Sequence, residues 1–271
     1  MVEQAQEQCK MHHQHSIGIG FHSLRAVPKE AFSEVLSHFQ TTKNPKPIHI
    51  HIAEQVKEVQ QCLAHLGCRP VEWLLDTMGV DKNWCLVHAT HMTKEETIGL
   101  AKTGATVGLC PSTEANLGDG LFPLTQFLNS NGHIAIGSDG NTCTNPMEEM
   151  RLLEYGQRLV MLNRNIGSNV AQKHTGTRLM QECLNGGARS IATKTGAIEA
   201  GYRADLLVLD HQSADLSITD EEFIMDTLLF APNQSLVRSV MAAGEWHVRD
   251  FKHRDEARLT QAFIKTLKSL P

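Results

Sequence analysis

Between Lys46 and Gln55 the chain reads K-P-I-H-I-H-I-A-E-Q, a proline-bounded run that alternates isoleucine with histidine and then presents a carboxylate. Period-two alternation predicts a strand with His49 and His51 on one face and Ile48, Ile50 and Ile52 on the other. In a parallel α/β barrel the isoleucines would meet the surrounding helices and the histidines would point inward. His51 would then stand near the C-terminal rim, where barrel active sites form, with Glu54 just beyond it. The plain alternative is an edge strand with a wetted polar face. A hydrolytic metal centre built on zinc or ferrous iron uses imidazole and carboxylate ligands, and His51 and Asp139 can supply two of them. Such a cation brings the pKa of water from about 15.7 to ~7. Glu54, three residues past a ligand, suits a proton shuttle. His88 can polarise the electrophile and stabilise charge as carbon becomes tetrahedral. Arg25 offers a bidentate fork for a substrate carboxylate, with His22 beside it.

The elements that must position these groups are short and repetitive. Ser16 to Ser23 is a glycine-interrupted strand leading to His22, and Pro28 to Gln40 is an amphipathic helix with proline in its first turn. Helices are expected over Gln55 to Leu66 and Pro70 to Met78. Trp84 to His88 is a buried strand ending on histidine, and Thr93 to Thr103 is a helix with Thr93 and Glu96 in capping-box spacing. Ala105 to Cys110 is a strand entering a polar loop over residues 111–116. A helix over Phe122 to Ser130 precedes the strand His133 to Ser138, which delivers Asp139. Five βα units whose strands finish in polar chemistry predict a parallel sheet with helical crossovers. Four of the five strands end in His22, His51, His88 and Asp139, and this recurrence makes metal chemistry the leading reading.

Beyond Asp139 helices dominate. In the helix from Asn145 to Asn163, Met147, Met150, Leu153 and Tyr155 are expected to face a core. Thr175 to Leu184 and Gly187 to Ala192 are further helical stretches. Strands are expected at Leu206 to Asp210 and, as a hairpin around Gly244, at Val237 to Ala242 and Trp246 to Val248. Glu256 to Leu270 is an amphipathic helix.

A length of 271 residues with 41% hydrophobic content suffices for one large α/β domain. A net charge of −5 and 5% aromatic residues disfavour a nucleic-acid surface and favour a small-molecule enzyme, and Arg25 with His22 beside it is the cationic anchor that a small anionic substrate would need. No apolar run is long enough to span a membrane, and the polar start resembles no signal peptide, so the expected location is cytoplasmic. The seven cysteines contain no C-x-x-C pair and read as reduced thiols. His12, His13 and His15 lie in a polar stretch read as a solvated arm, with metal ligation by the H-x-H of His13 and His15 as the alternative.

The runs H-I-H-I-A-E, L-V-H-A-T-H and G-S-D resemble strands five, six and eight of the amidohydrolase superfamily, and G-Y-R-A-D-L-L-V-L-D is similar to its return into a small β-sandwich. Within it the chain most resembles the formimidoylglutamate deiminases, through F-H-S-L-R-A-V, S-T-E-A-N-L-G-D-G and L-E-Y-G-Q-R, across roughly residues 16 to 250. The resemblance implies a (β/α)8 TIM-type barrel, of which only about strands 4–8 are present, with the remnant of a small β-sandwich. The divisions are then an arm over 1–15, a partial barrel over 16–200, return strands over 201–250 and a helix over 251–271. It further implies metal ligation by His51 and Asp139, proton transfer and polarisation by Glu54 and His88, and carboxylate binding by His22 and Arg25. The implied reaction converts N-formimidoyl-L-glutamate to N-formyl-L-glutamate and ammonia, with zinc as the usual metal and a homodimer as the assembly. Alternatives are an aminopurine or S-adenosylhomocysteine type of deaminase, or a non-catalytic remnant. The superfamily's first-strand H-x-H pair has no counterpart here, so the stretch is expected to be the C-terminal portion of a longer enzyme with little activity of its own.

Overall fold

A computed structural model describes residues 2–11, 15–40, 47–231 and 235–270. His12 and His13 lie outside the described residues. Helix α1 (Val2–Met11) lies in the stretch expected as a solvated arm, where no apolar periodicity marks a helix. The chain then alternates β1 (Ile19–Phe21), α2 (Lys29–Gln40), β2 (Ile48–Ile52), α3 (Val56–Leu66), α4 (Pro70–Thr77), β3 (Trp84–His88), α5 (Lys94–Thr103), β4 (Thr106–Leu109), α6 (Pro111–Leu117), α7 (Leu124–Asn129) and β5 (His133–Ile136). The five strands form one parallel sheet in sequential order, β1-β2-β3-β4-β5. Among the described residues β1 and β5 each pair on one side only.

Register explains the faces. His49 lies level with Gly20 and Cys85, Cys85 with Thr106, and Thr106 with His133, so one layer of inward positions runs across the sheet. The next layer holds His51, Val87, Gly108 and Ala135. The opposite face carries Ile50, Ile52, Leu86, Val107 and Ile134, all fully buried together with Phe32, Leu74, Leu100 and Phe127 from the helices. Sequential parallel strands with helices on one face are the arrangement of a barrel wall.

Residues 111–116, expected as a polar loop, form most of α6. Pro111 sits in its first turn, the Glu114 side chain accepts from the Cys110 N–H at 2.9 Å, and Gly118 closes the helix at φ 71°. These are ordinary start and stop signals, hidden in sequence by the helix being so short and polar.

After β5 come α8 (Pro146–Met161) and α9 (Thr175–Ser190), the latter one continuous helix where the sequence suggested two stretches. Met147, Met150 and Leu153 of α8 are buried as expected, but Tyr155 is 39% exposed and Glu154 takes the inward place. Glu154 accepts the N–H groups of Ile166 and Gly167 at 2.9 and 2.7 Å, and Tyr155 instead stacks on Phe230. Helix α9 lies directly on β5: a Cβ at Gly186 would collide with the Ile134 carbonyl.

The second sheet is antiparallel and contains β6 (Leu206–Leu209), β7 (Val237–Ala242), β8 (Glu245–Arg249) and β9 (Lys252–His253). Helices α10 (Ala214–Ser217) and α11 (Ile224–Phe230) fall between β6 and β7, and α12 (Glu256–Lys268) follows β9. Asp205, just before β6, accepts from Thr195 Oγ1 at 2.5 Å, Arg203 Nε at 2.6 Å and the Ala243 N–H at 2.9 Å, joining three segments of this sheet's surroundings.

Candidate active site

The carboxyl ends of the parallel strands hold a connected set of imidazoles and carboxylates. His51 stands on the inward face of β2, its ring 5.7 Å from that of His22 and 5.8 Å from that of His88. Its Nδ1 lies 2.9 Å from the His22 carbonyl oxygen. A carbonyl can only accept, so Nδ1 carries the proton and Nε2 keeps its lone pair, the state of a histidine ready to ligate a metal. His49, one layer deeper, is committed elsewhere: its Nε2 donates to the Ser190 carbonyl at 2.7 Å.

Strand alternation alone would direct His88 outward, because it lies level with the buried Ile52. The backbone reverses this, since His88 and Ala89 adopt φ of 68° and 48°, a left-handed conformation rare for non-glycine residues. Its ring is 1% exposed, with Nδ1 3.2 Å from Glu114 Oε1 and Nε2 3.7 Å from Glu54 Oε1. Burial pulls its pKa down, but the Glu114 hydrogen bond and the charges of Glu54, Glu114 and Asp139 outweigh it, so the net shift is upward. An imidazolium between two carboxylates is thereby favoured.

Glu54 is held at a fixed point by a second acid. Buried Glu58 accepts the N–H groups of Ala53 and Glu54, both at 3.0 Å, and Ala53 has φ 49°. Desolvation raises the Glu54 pKa, His88 opposes, and Asp119 and Glu58 add to the rise. Asp139, exposed after β5, has φ 49°, the fourth left-handed residue at these strand ends. Such conformations cost about 1–3 kcal/mol each and persist where surroundings dictate them. The buried thiols are poor nucleophiles here: burial pushes Cys85 up to about 12 and raises Cys110 as well.

Arg25 lies to the flank. It is exposed and lines a cleft of ≈ 650 Å³ between the turn at Leu24–Pro28 and the α3 residues Glu58, Gln61, Cys62 and His65. Its guanidinium has no hydrogen bond or ion pair with the described residues. The predicted residues His22, His51, His88 and Glu54 are thus brought together, Asp139 adds its charge at His88, and Arg25 borders the adjoining cleft. Sequence reasoning missed Glu58, Glu114 and Asp119. The last two are the acids of the S-T-E-A-N-L-G-D-G run, which carried a resemblance but no assigned role.

For a metal, His51 Nε2 and the Asp139 carboxylate are suitable donors by type. Among the described residues no group of three or more His, Cys, Asp or Glu side chains converges as a metal cage. By donor type alone these two groups would form part of a ligand set for a divalent cation.

The amidohydrolase family profile matches residues 2–247, and the chain belongs to that family. Formimidoylglutamate deiminase of Pseudomonas aeruginosa is 45% identical over 256 residues, 94% of this chain and 56% of the relative. A 5-methylthioadenosine/S-adenosylhomocysteine deaminase of Natronomonas pharaonis is 28% identical over 75% of this chain and 46% of its own length. The crystal structure of an amidohydrolase from Brucella melitensis superposes with a TM-score of 0.91 at 38% identity, covering 98% of this chain and 58% of that one. An adenosine deaminase from Xanthomonas campestris with bound zinc shares the fold at TM-score 0.81 and 23% identity, covering 98% of this chain and 62% of that one. The chain therefore spans about half the length of the curated relatives it matches. These neighbours identify the parallel sheet as part of a TIM-type amidohydrolase fold.

Proposed function

We propose that this chain carries most of the active site of a metal-dependent deiminase that hydrolyses N-formimidoyl-L-glutamate to N-formyl-L-glutamate and ammonia. The observation that carries the reading is the 45% identity to formimidoylglutamate deiminase across 94% of the chain. The contacts among His51, His88 and Glu54 support it. The five strands are read as strands 4–8 of a barrel over residues 16–200, and the antiparallel sheet, which runs on through β9 to His253 rather than stopping at the expected 250, as part of a small β-sandwich. Among the described residues β1 and β5 each have a single strand neighbour, which supports a partial wall, because parallel strands are normally covered on both sides. The N-terminal part, whose described residues form α1, is read as an arm, and α12 as a terminal helix after β9.

In this reading His51 and Asp139 hold zinc, or ferrous iron, and other chain segments complete the ligand set. The cation supplies positive charge that makes water acidic near neutral pH. Glu54 accepts the proton of the attacking water and returns it to the departing nitrogen, which leaves as ammonia. His88, charged between Glu54 and Glu114, stabilises charge as the amidine carbon becomes tetrahedral. His22 and Arg25 hold the substrate carboxylates, Arg25 from the flanking cleft. A cytoplasmic homodimer goes with this reading. Among the described residues no helix is long and apolar enough to cross a membrane.

An aminopurine deaminase is the second reading, favoured by 26–30% identity to several 5-methylthioadenosine/S-adenosylhomocysteine deaminases. Ammonia release separates the two. The chain, complemented by the portion of the Pseudomonas aeruginosa relative that it does not match, should release ammonia from formimidoylglutamate far faster than from S-adenosylhomocysteine. The reverse preference would move the assignment to the aminopurine class.

A further inference from the structure

Two neighbouring imidazoles at the strand ends carry their protons on opposite nitrogens. His51 donates from Nδ1 to the His22 carbonyl at 2.9 Å, which leaves its Nε2 with a lone pair. His22 is set the other way by the next residue in the chain. Its Nδ1 lies 3.0 Å from Ser23 Oγ, and Ser23 is 1% exposed. Among the described residues that hydroxyl has no other hydrogen-bond partner. An O–H group sealed from water must donate or forfeit its hydrogen bond, so it donates to His22 Nδ1. The ring proton of His22 therefore resides on Nε2. His22 is exposed and its Nε2 meets no partner among the described residues, which leaves an open N–H donor at the carboxyl ends of the strands. Ser23 serves Arg25 as well: its carbonyl accepts the N–H groups of Ala26 and Val27, both at 3.1 Å, closing the turn that carries Arg25.

We propose that Ser23 is a positioning residue for anion recognition: its hydroxyl holds His22 in the Nε2-protonated tautomer while its carbonyl holds the turn of Arg25, so that an N–H donor and a guanidinium are offered together to the carboxylates of the substrate. The proposal rests on the reading of His22 and Arg25 as the pair that binds those carboxylates. It also separates the two imidazoles by role. A cation needs a lone pair, which His51 Nε2 has and His22 Nε2 lacks. A carboxylate oxygen needs a hydrogen, which His22 Nε2 has and His51 Nε2 lacks. With ring centres only 5.7 Å apart, the two histidines thus do not compete for one ligand. Without the hydroxyl the His22 ring is free to exchange tautomers, and the form protonated on Nδ1 turns a lone pair toward an incoming carboxylate and repels it.

Ring-nitrogen resonances of the histidine-labelled 271-residue chain, taken in chelator at mildly alkaline pH, read the tautomers without any turnover. The signals of His22 are those lost in His22→Gln. The expected result is a protonated Nε2 and a bare Nδ1 for His22 in the native chain, and a shift toward a mixture of both tautomers in Ser23→Ala. Ser23→Thr, which keeps the hydroxyl, should retain the native His22 signals. A proton on Nδ1 of His22 in the native chain would overturn the proposal, and this reading stands even should Ser23→Ala fail to fold. Unchanged His22 signals in Ser23→Ala would overturn it equally. In the complemented enzyme Ser23→Ala should raise KM for formimidoylglutamate roughly 3–10-fold, the worth of one uncharged hydrogen bond, while lowering kcat by less. A loss confined to kcat would refute the anion-positioning role. Absence of formimidoylglutamate turnover in the complemented native enzyme would remove the deiminase reading without altering any of these spectra.

Discussion

His88 owes its position to two left-handed residues, itself and Ala89, which turn an outward strand position toward the site. Reading the strand by alternation finds that a histidine ends β3 but not which way it points, since the decisive φ values arise from packing beyond the strand. Glu58, Glu114 and Asp119 were illegible for a related reason: a carboxylate becomes part of a site by being buried against particular donors, and burial is a tertiary property. His51 was legible because period two needs no context. Two predictions belong at this scale. Glu114→Gln keeps shape but removes the charge at His88 Nδ1, and should lower turnover of the complemented enzyme ~10–100-fold, as loss of an orienting partner typically does. Unaltered turnover would leave Glu114 a purely structural acid. Arg25→Ala should weaken transition-state binding of formimidoylglutamate by roughly 2–4 kcal/mol, read as kcat/KM. An unchanged value would take Arg25 out of substrate recognition.

The strands and long helices were visible from periodicity and caps; α5 carries the expected Thr93–Glu96 capping box, and the hairpin of β7 and β8 turns at Gly244. What escaped were the short polar helix α6 and the inward face of α8, where Glu154 displaces Tyr155 because a loop of bare N–H groups needs its carboxylate. Contact between α9 and β5 is tight enough to test. Gly186→Ala drives a methyl group into the Ile134 backbone carbonyl and should destabilise the fold by about 3 kcal/mol, readable by denaturant unfolding. A near-native midpoint would show that the helix can shift at little cost. At the second sheet, burial works to raise the Asp205 pKa, but the hydrogen bonds from Thr195, Ala243 and Arg203, with the Arg203 charge, lower it overall. Its stabilising contribution is therefore present above the unfolded value of 3.8 and fades as pH falls through the lower folded value. Asp205→Ala should cost roughly 2–3 kcal/mol at neutral pH and progressively less in acid. A penalty constant from neutral to strongly acidic pH would contradict this assignment of the charge.

At the scale of the whole molecule, the parallel sheet has two edges with a single neighbour each among the described residues, and the imidazole–carboxylate set offers fewer ligands than a hydrolytic metal site uses. On the proposed reading both features have one physical cause: wall and ligand set would be completed by other chain segments. An incomplete ligand set forfeits most of the coordination free energy, and exposed strand edges invite association. The direct measurement is zinc stoichiometry and formimidoylglutamate turnover of the 271-residue chain beside the same chain complemented by the unmatched portion of the Pseudomonas aeruginosa relative. The account predicts weak zinc retention, little ammonia release and self-association for the chain alone, and one firmly held metal with restored turnover on complementation. Full turnover with one tightly bound zinc in the chain alone would contradict it.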